Sequence, residues 1–159
     1  MRPWLLPALA LAAILGALLH AEPRPAIILD WYLALRRPWW QPPDWAIPLV
    51  WGIVYLLIGL AIVRAWRAAG AKGGRGQIVV SSTVNLFLNF LWPVLFFAYR
   101  RPDWALAEVG LLWLSILWMI WALGRRDRVA GWLLLPYLLW VGFAARLNLA
   151  LVELNAPFP

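Results

Sequence analysis

Apolar residues run along this chain in five long stretches, separated by short breaks that hold most of its charge. The stretches cover about Trp4 to Ala21, Trp45 to Trp66, Ile78 to Tyr99, Trp104 to Leu123 and Val129 to Val152. Each comes near the roughly 20 residues that a helix needs to cross a bilayer core of about 30 Å. None alternates polar and apolar positions over about ten residues, as a transmembrane strand would, so helices are predicted throughout. The pattern predicts an all-α membrane protein with a single domain over residues 1–159. It is a bundle of five transmembrane helices with a long structured loop between the first and second.

The first stretch has a second reading as a cleaved signal peptide, since Met1-Arg2 starts basic and Leu19-His20-Ala21 ends small. Its length, its two prolines Pro3 and Pro7 and the lack of a clean Ala-x-Ala site favour a retained span. Ala8, Ala12, Gly16 and His20 fall at i+4 steps on one face, a spacing that lets helices approach closely. The break Ala68 to Gly76 is rich in Gly and Ala and reads as a flexible connector. The break Glu22 to Pro43 is different. It holds Trp31, Tyr32, Trp39 and Trp40, and Pro38, Pro42 and Pro43 stiffen its end. A loop of that length and composition is expected to be functional or a lid.

Composition agrees with a lipid environment. Of 159 residues, 65% are hydrophobic and 13% charged, too few polar groups to cover a water-soluble fold. The net charge of +7 does not point to nucleic acid, because the basic residues cluster at the ends of the apolar runs, as membrane topology requires. The N-terminus and the second and fourth breaks hold Arg2, Arg64, Arg67, Lys72, Arg75, Arg125, Arg126 and Arg128. The other side holds Arg24, Arg36, Arg37, Arg100 and Arg101. Eight against five favours a cytoplasmic location for the first group. With no Cys and one His, disulfides, iron–sulfur clusters and multi-histidine metal sites are excluded. His20 could ligate haem iron or bond a ligand carboxylate, but a helix-end His is more often a satisfied surface group.

Antiparallel threading of five spans places His20, Trp51, Asn89, Trp92, Glu108, Arg146 and Asn148 in one leaflet, beneath the Glu22 to Pro43 loop. That end is the candidate pocket. Glu108 and Arg146 are expensive in hydrocarbon, and two outcomes stand open: an ion pair between helices, or separate snorkelling to the headgroups. Asn85 reads as inter-helix glue, whereas Asn89 and Asn148 suit either glue or ligand contact.

At this point the motifs resemble a known family. Trp31-Tyr32 and Arg37-Pro38-Trp39-Trp40-Gln41-Pro42-Pro43 look like the WY…KPWWxPP signature of the TspO/translocator proteins, also called tryptophan-rich sensory proteins or peripheral benzodiazepine receptors. Trp51-Gly52 with Tyr55, Leu88-Asn89-Phe90-Leu91-Trp92-Pro93 with Phe96-Phe97, Trp104-Ala105-Leu106-Ala107, and Pro136-Tyr137-Leu138…Trp140…Phe143-Ala144…Leu147-Asn148 resemble its later motifs, in order. The resemblance implies a five-helix bundle, often a homodimer, that binds porphyrins, haem, cholesterol or benzodiazepine-type drugs. Carried over by position, the ligand-binding residues would be Trp31, Tyr32, Trp39, Trp51, Asn89, Trp92, Trp104, Ala107, Trp140, Ala144, Leu147 and Asn148. Three departures stand out: Asn85 replaces the usual Gln, Arg146 replaces an apolar residue, and Leu149 to Asn155 lacks the sterol-recognition stretch of animal members.

The leading expectation is a membrane receptor or sensor for tetrapyrroles, with porphyrin or haem as ligand and not as cofactor, in a multi-pass protein of a bacterial cell envelope. A flat macrocycle suits a Trp-lined pocket, and Arg36, Arg37 and Arg146 are candidates to meet its propionates. The resemblance also allows light- and oxygen-dependent porphyrin degradation, with Trp51 and Trp140 as redox candidates. A porphyrin or sterol transporter is the third reading, although no inverted repeat is evident.

Overall fold

Proline and one carboxylate cap mark where several helices of this chain begin or are interrupted. The computed structural model describes residues 26–70 and 73–158. The predicted first span, about residues 4–21, lies outside the described residues, with its Ala8, Ala12, Gly16 and His20; Arg2, Arg24 and Lys72 lie outside them too. What is described is all-helical: α1 (Ala26–Ala34), α2 (Ala46–Ala69), α3 (Arg75–Pro93), α4 (Pro102–Gly124), α5 (Arg128–Leu133) and α6 (Leu135–Asn155). Four helical stretches are long and apolar enough to cross a membrane, counting α3 with the turn after it and α5 with α6.

Three details differ from the sequence pattern. The segment expected to be loop contains the short helix α1. The predicted third span bends at Pro93, which cannot donate to the carbonyl four residues back and crowds it. The helix widens there into a π turn over Val94–Ala98, closed by a bond from Tyr99 N to Val94 O at 3.0 Å. The predicted last span is two helices. Pro136 sits in the first turn of α6, so the ladder is interrupted and Leu134 N turns back to Gly131 O at 3.2 Å. At the start of α5, the Asp127 carboxylate accepts from the backbone N–H of Val129 and Ala130, satisfying donors a helix start leaves open.

α4 is the central element, packed along α3 on one side and α6 on the other, with α5 wedged against α2 and α4. Its inward stripe is Ala105, Glu108, Leu112, Ser115, Met119 and Ala122. Its outward stripe is equally apolar, with Leu111, Leu114, Trp118 and Trp121 exposed. An apolar face with no packing partner among the described residues is what lipid-facing helices present. The close approach of α5 to α4 is built on glycine: a Cβ on Gly131 would lie 3.1 Å from the Gly124 Cα.

Inside the bundle the polar groups form one directed chain. Tyr55 Oη donates to Asn89 Oδ1 (2.7 Å), and Asn89 Nδ2 to Tyr137 Oη (2.8 Å). Tyr137 Oη then donates to Asn85 Oδ1 (3.2 Å), and Asn85 Nδ2 to Ser115 Oγ (2.9 Å), which ends on the Leu112 carbonyl (2.7 Å). The chain ties α2, α3, α6 and α4 together where no water is available to take their place.

Of the two outcomes left open for Glu108 and Arg146, the ion pair does not form. Glu108 lies on the inward stripe of α4 and is only 5% exposed. Arg146 lies two residues from the inward-facing Asn148, hence nearly opposite it around α6. Its guanidinium instead reaches Glu153, one N···O distance being 3.9 Å, with both side chains 59% exposed. Neither Glu108 oxygen has a hydrogen-bond partner among the described residues.

Two outcomes follow. Replacing Gly131 by Val forces α5 off α4 and should lower stability in mild detergent by about 1–3 kcal/mol, read by thermal unfolding. Tyr137→Phe deletes two links of the polar chain and should cost about 1–2 kcal/mol in the same assay; an unchanged midpoint would show that the chain does not brace the bundle.

Candidate functional site

The WW pair and the helix starts after it build an aromatic ladder at one end of the bundle. On α2, Trp51 and Tyr55 are one turn apart and stack, with ring centres 5.3 Å apart and planes 28° apart. Trp51 also presents its ring edge-on to Tyr137 (6.3 Å) and Trp140 (6.4 Å) of α6. Trp140 stacks on Phe143 at 5.6 Å, and Phe143 meets Trp40 from the segment before α2 at 5.8 Å. Edge and offset-stacked pairs at such distances are the favoured aromatic arrangements. The ladder therefore runs from the polar chain at Tyr55 and Tyr137 outward to Trp40. One donor in it is unsatisfied: the Trp140 Nε1, buried and without a hydrogen-bond partner among the described residues.

A second aromatic cluster forms around the π turn. Phe96 is fully buried, stacked by Trp92 at 4.8 Å and met edge-on by Trp31 (6.0 Å) and Tyr32 (6.3 Å) of α1. Leu147 packs against it. Trp92 Nε1 donates to Asn148 Oδ1 (3.1 Å), and Asn148 Nδ2 to the Pro102 carbonyl (2.8 Å).

Two ties hold the segment between α1 and α2 over these clusters. The Asn155 side chain clasps the Arg36 backbone in both directions, accepting from its N–H at 2.7 Å and donating to its carbonyl at 2.9 Å. Gln41 donates to Tyr32 Oη at 3.2 Å, while the Arg37 guanidinium lies 4.6 Å from the Tyr32 ring centre and 3.6 Å from Asp44. Arg146 adds a cation 5.8 Å from the Trp40 ring. One basic group thus stands at the outer edge of the ladder, and another stands on the second cluster at Tyr32.

The residues carried over from the family motifs distribute unevenly. Trp51 and Trp140 stand in the ladder, with Ala144 one turn beyond Trp140 on α6. Trp31, Tyr32, Trp92, Leu147 and Asn148 belong to the second cluster. Asn89 and Asn148 have both ends of their amides bonded to other helices, so both serve as inter-helix glue. Trp39 is 94% exposed, while its neighbour Trp40 is the indole on the ladder. Trp104 and Ala107 are exposed on α4, Trp104 under the Arg101 guanidinium at 4.3 Å and beside Tyr99. Sequence reasoning passed over Trp40, Tyr55, Tyr137 and Phe143 as site residues. Helical spacing offered a signal for two of them, since Tyr55 is i+4 from Trp51 and Phe143 is i+3 from Trp140. A groove of about 390 Å³ lies elsewhere, between α4 and α6, lined by Leu106, Val109, Gly110, Trp113, Gly142 and Ala145. It is open and apolar and contains none of the residues above.

The fold and the motif residues can be set beside known proteins. The TspO/MBR family profile matches residues 5–154. A tryptophan-rich sensory protein of Cereibacter sphaeroides is 37% identical over 143 residues, covering 90% of this chain and 84% of the relative. The tryptophan-rich protein TspO of Chlorobaculum tepidum is also 37% identical, over 84% of this chain and 83% of its own. The human translocator protein is 33% identical over 76% of this chain and 72% of its own. Apolar helices of membrane-spanning length, an ordered series of Trp motifs and a match over nearly the whole length agree on one conclusion: the chain belongs to the TspO/MBR family, whose members are membrane proteins.

Proposed function

We propose that this protein is a membrane receptor or sensor that binds a flat, hydrophobic tetrapyrrole such as protoporphyrin or haem between the aromatic ladder and the segment that carries Trp40. The observation that supports it best is the ladder itself. Four aromatic side chains, Trp40, Phe143, Trp140 and Trp51, succeed one another at 5.6–6.4 Å, and Trp140 Nε1 lacks an acceptor among the described residues. A conjugated macrocycle sliding among these rings would exchange ring–ring contacts for larger ones. Arg146 beside Trp40 and Arg37 beside Tyr32 suit the carboxylates such a ligand carries. The names of two relatives, a tryptophan-rich sensory protein and a tryptophan-rich protein TspO, fit a sensing role.

The rings fill the space in this conformation, so binding requires Trp40 and its segment to move. The ties to be broken include the Asn155 clasp, the Gln41 and Arg37 contacts to Tyr32 and the Trp40 contacts to Phe143 and Arg146. The reading also includes a fifth span. Residues from about 4 to 21 are apolar over that length, and the family profile begins at residue 5.

Titrating the detergent-solubilised protein with protoporphyrin should quench Trp fluorescence saturably. Trp140→Phe, which keeps an aromatic ring but loses the N–H, should weaken binding about 2–10-fold, the scale of one aromatic contact or hydrogen bond. Linear, unsaturable quenching by the folded protein would refute the proposal.

A further inference from the structure

The opposite end of the bundle collects hydrogen-bond donors that have nothing to bond. Where α2 ends, α3 begins and α4 turns into α5, Arg64, Arg67, Arg75, Arg125, Arg126 and Arg128 share, among the described residues, a single carboxylate, Asp127. That carboxylate is already engaged, capping α5 and pairing with Arg64 at 2.8 Å. Three buried donors at this end have no acceptor among the described residues: Trp66 Nε1, Arg75 Nε and Arg126 Nε. Trp66 is only 8% exposed.

These donors are neighbours. The Arg75 guanidinium lies 4.5 Å from the Trp66 ring centre. Arg126 donates to Gln77 Oε1 at 3.1 Å and lies so close to Gly74 that a Cβ there would stand 2.1 Å from its Cζ. Gly74, at φ +99, opens α3 with no side-chain cap, so the first N–H groups of that helix are uncapped at the same place. Buried donors without acceptors are costly, and guanidinium donors beside an uncapped helix start favour an anion with several oxygens, above all a phosphate.

The location says where that phosphate comes from. The site is at the ends of apolar, membrane-length helices, with the indoles of Trp121 and Trp132 exposed near the same end. Indoles and arginines together mark the depth of the lipid headgroups. We propose that Trp66, Arg75, Arg126 and the first turn of α3 bind the phosphate of an anionic phospholipid, of the phosphatidylglycerol type, in the leaflet that this end meets. The site is independent of the aromatic ladder, and its occupancy ties the α2–α3 connection to the α4–α5 turn.

The test uses the full chain in nanodiscs containing equal amounts of phosphatidylcholine and phosphatidylglycerol, followed by native mass spectrometry of the lipids retained. The wild type should retain phosphatidylglycerol in preference. The double variant R75Q/R126Q should lose about tenfold of that preference, the scale of two basic groups at a charged surface after screening. Trp66→Phe, a change that keeps the ring, should lose part of it. The control R125Q/R128Q removes the same charge from the same end and should keep the preference. Equal retention of both lipids by the wild type would overturn the proposal. Equal losses in the two double variants would also do so, by showing diffuse attraction and no site. Displacement of the lipid by inorganic phosphate at matched concentration would show a free-anion site and would equally exclude the lipid.

Discussion

A hydrogen-bond chain buried among apolar helices holds this protein in register. The hydrocarbon tails of lipid neither donate nor accept hydrogen bonds, so a phenol or amide inside the bundle must find its partner on another helix. Tyr55, Asn89, Tyr137, Asn85 and Ser115 do so in one direction, each donor feeding the next acceptor. Such bonds need not be strong to matter. They are directional, whereas apolar packing among Leu, Val and Ile tolerates rotation of a helix about its axis. The chain therefore sets which faces of α2, α3 and α6 look inward.

The aromatic ladder inherits its geometry from that choice. Tyr55 and Tyr137 are members of the polar chain and also the inner partners of Trp51. Their hydroxyls are tied to α3 while their rings meet Trp51, so the indole is positioned by groups that do not touch the outer edge of the site. Outward from there the ladder continues through Trp140 and Phe143 to Trp40 on the covering segment, which the Asn155 clasp ties to α6.

The two ends of the molecule differ in kind. One carries rings with cations at their edge, and the other carries arginines with one engaged carboxylate between them. Glu108 belongs to neither. It is buried on the inward stripe of α4, and its expected counterion points away from it around α6. Proline shapes both the third and the last membrane-length segments. Pro93 widens α3 into the π turn that brings Phe96 inward, and Pro136 separates α5 from α6 so that Gly131 can sit against Gly124.

Much of this was legible from one dimension. The lengths of the last four apolar runs gave the four described membrane-length helices to within a few residues, because hydrocarbon thickness and helix rise are constants. The ordered motifs around Trp31, Asn89 and Asn148 pointed to the family. What the residues alone left undecided was rotational and local. Trp39 and Trp40 are adjacent and chemically identical, and only the path of the chain between α1 and α2 puts one on Phe143 and the other outside. Counting depth brought Glu108 and Arg146 to the same level, yet depth carries no information about azimuth, so their pairing could not be judged until α6 was seen to turn Asn148 inward. Sequence determined which segments meet lipid, because that depends on summed transfer energies along a run. Tertiary structure decided which side chains meet each other, because that depends on how each helix is rotated by bonds made with distant residues.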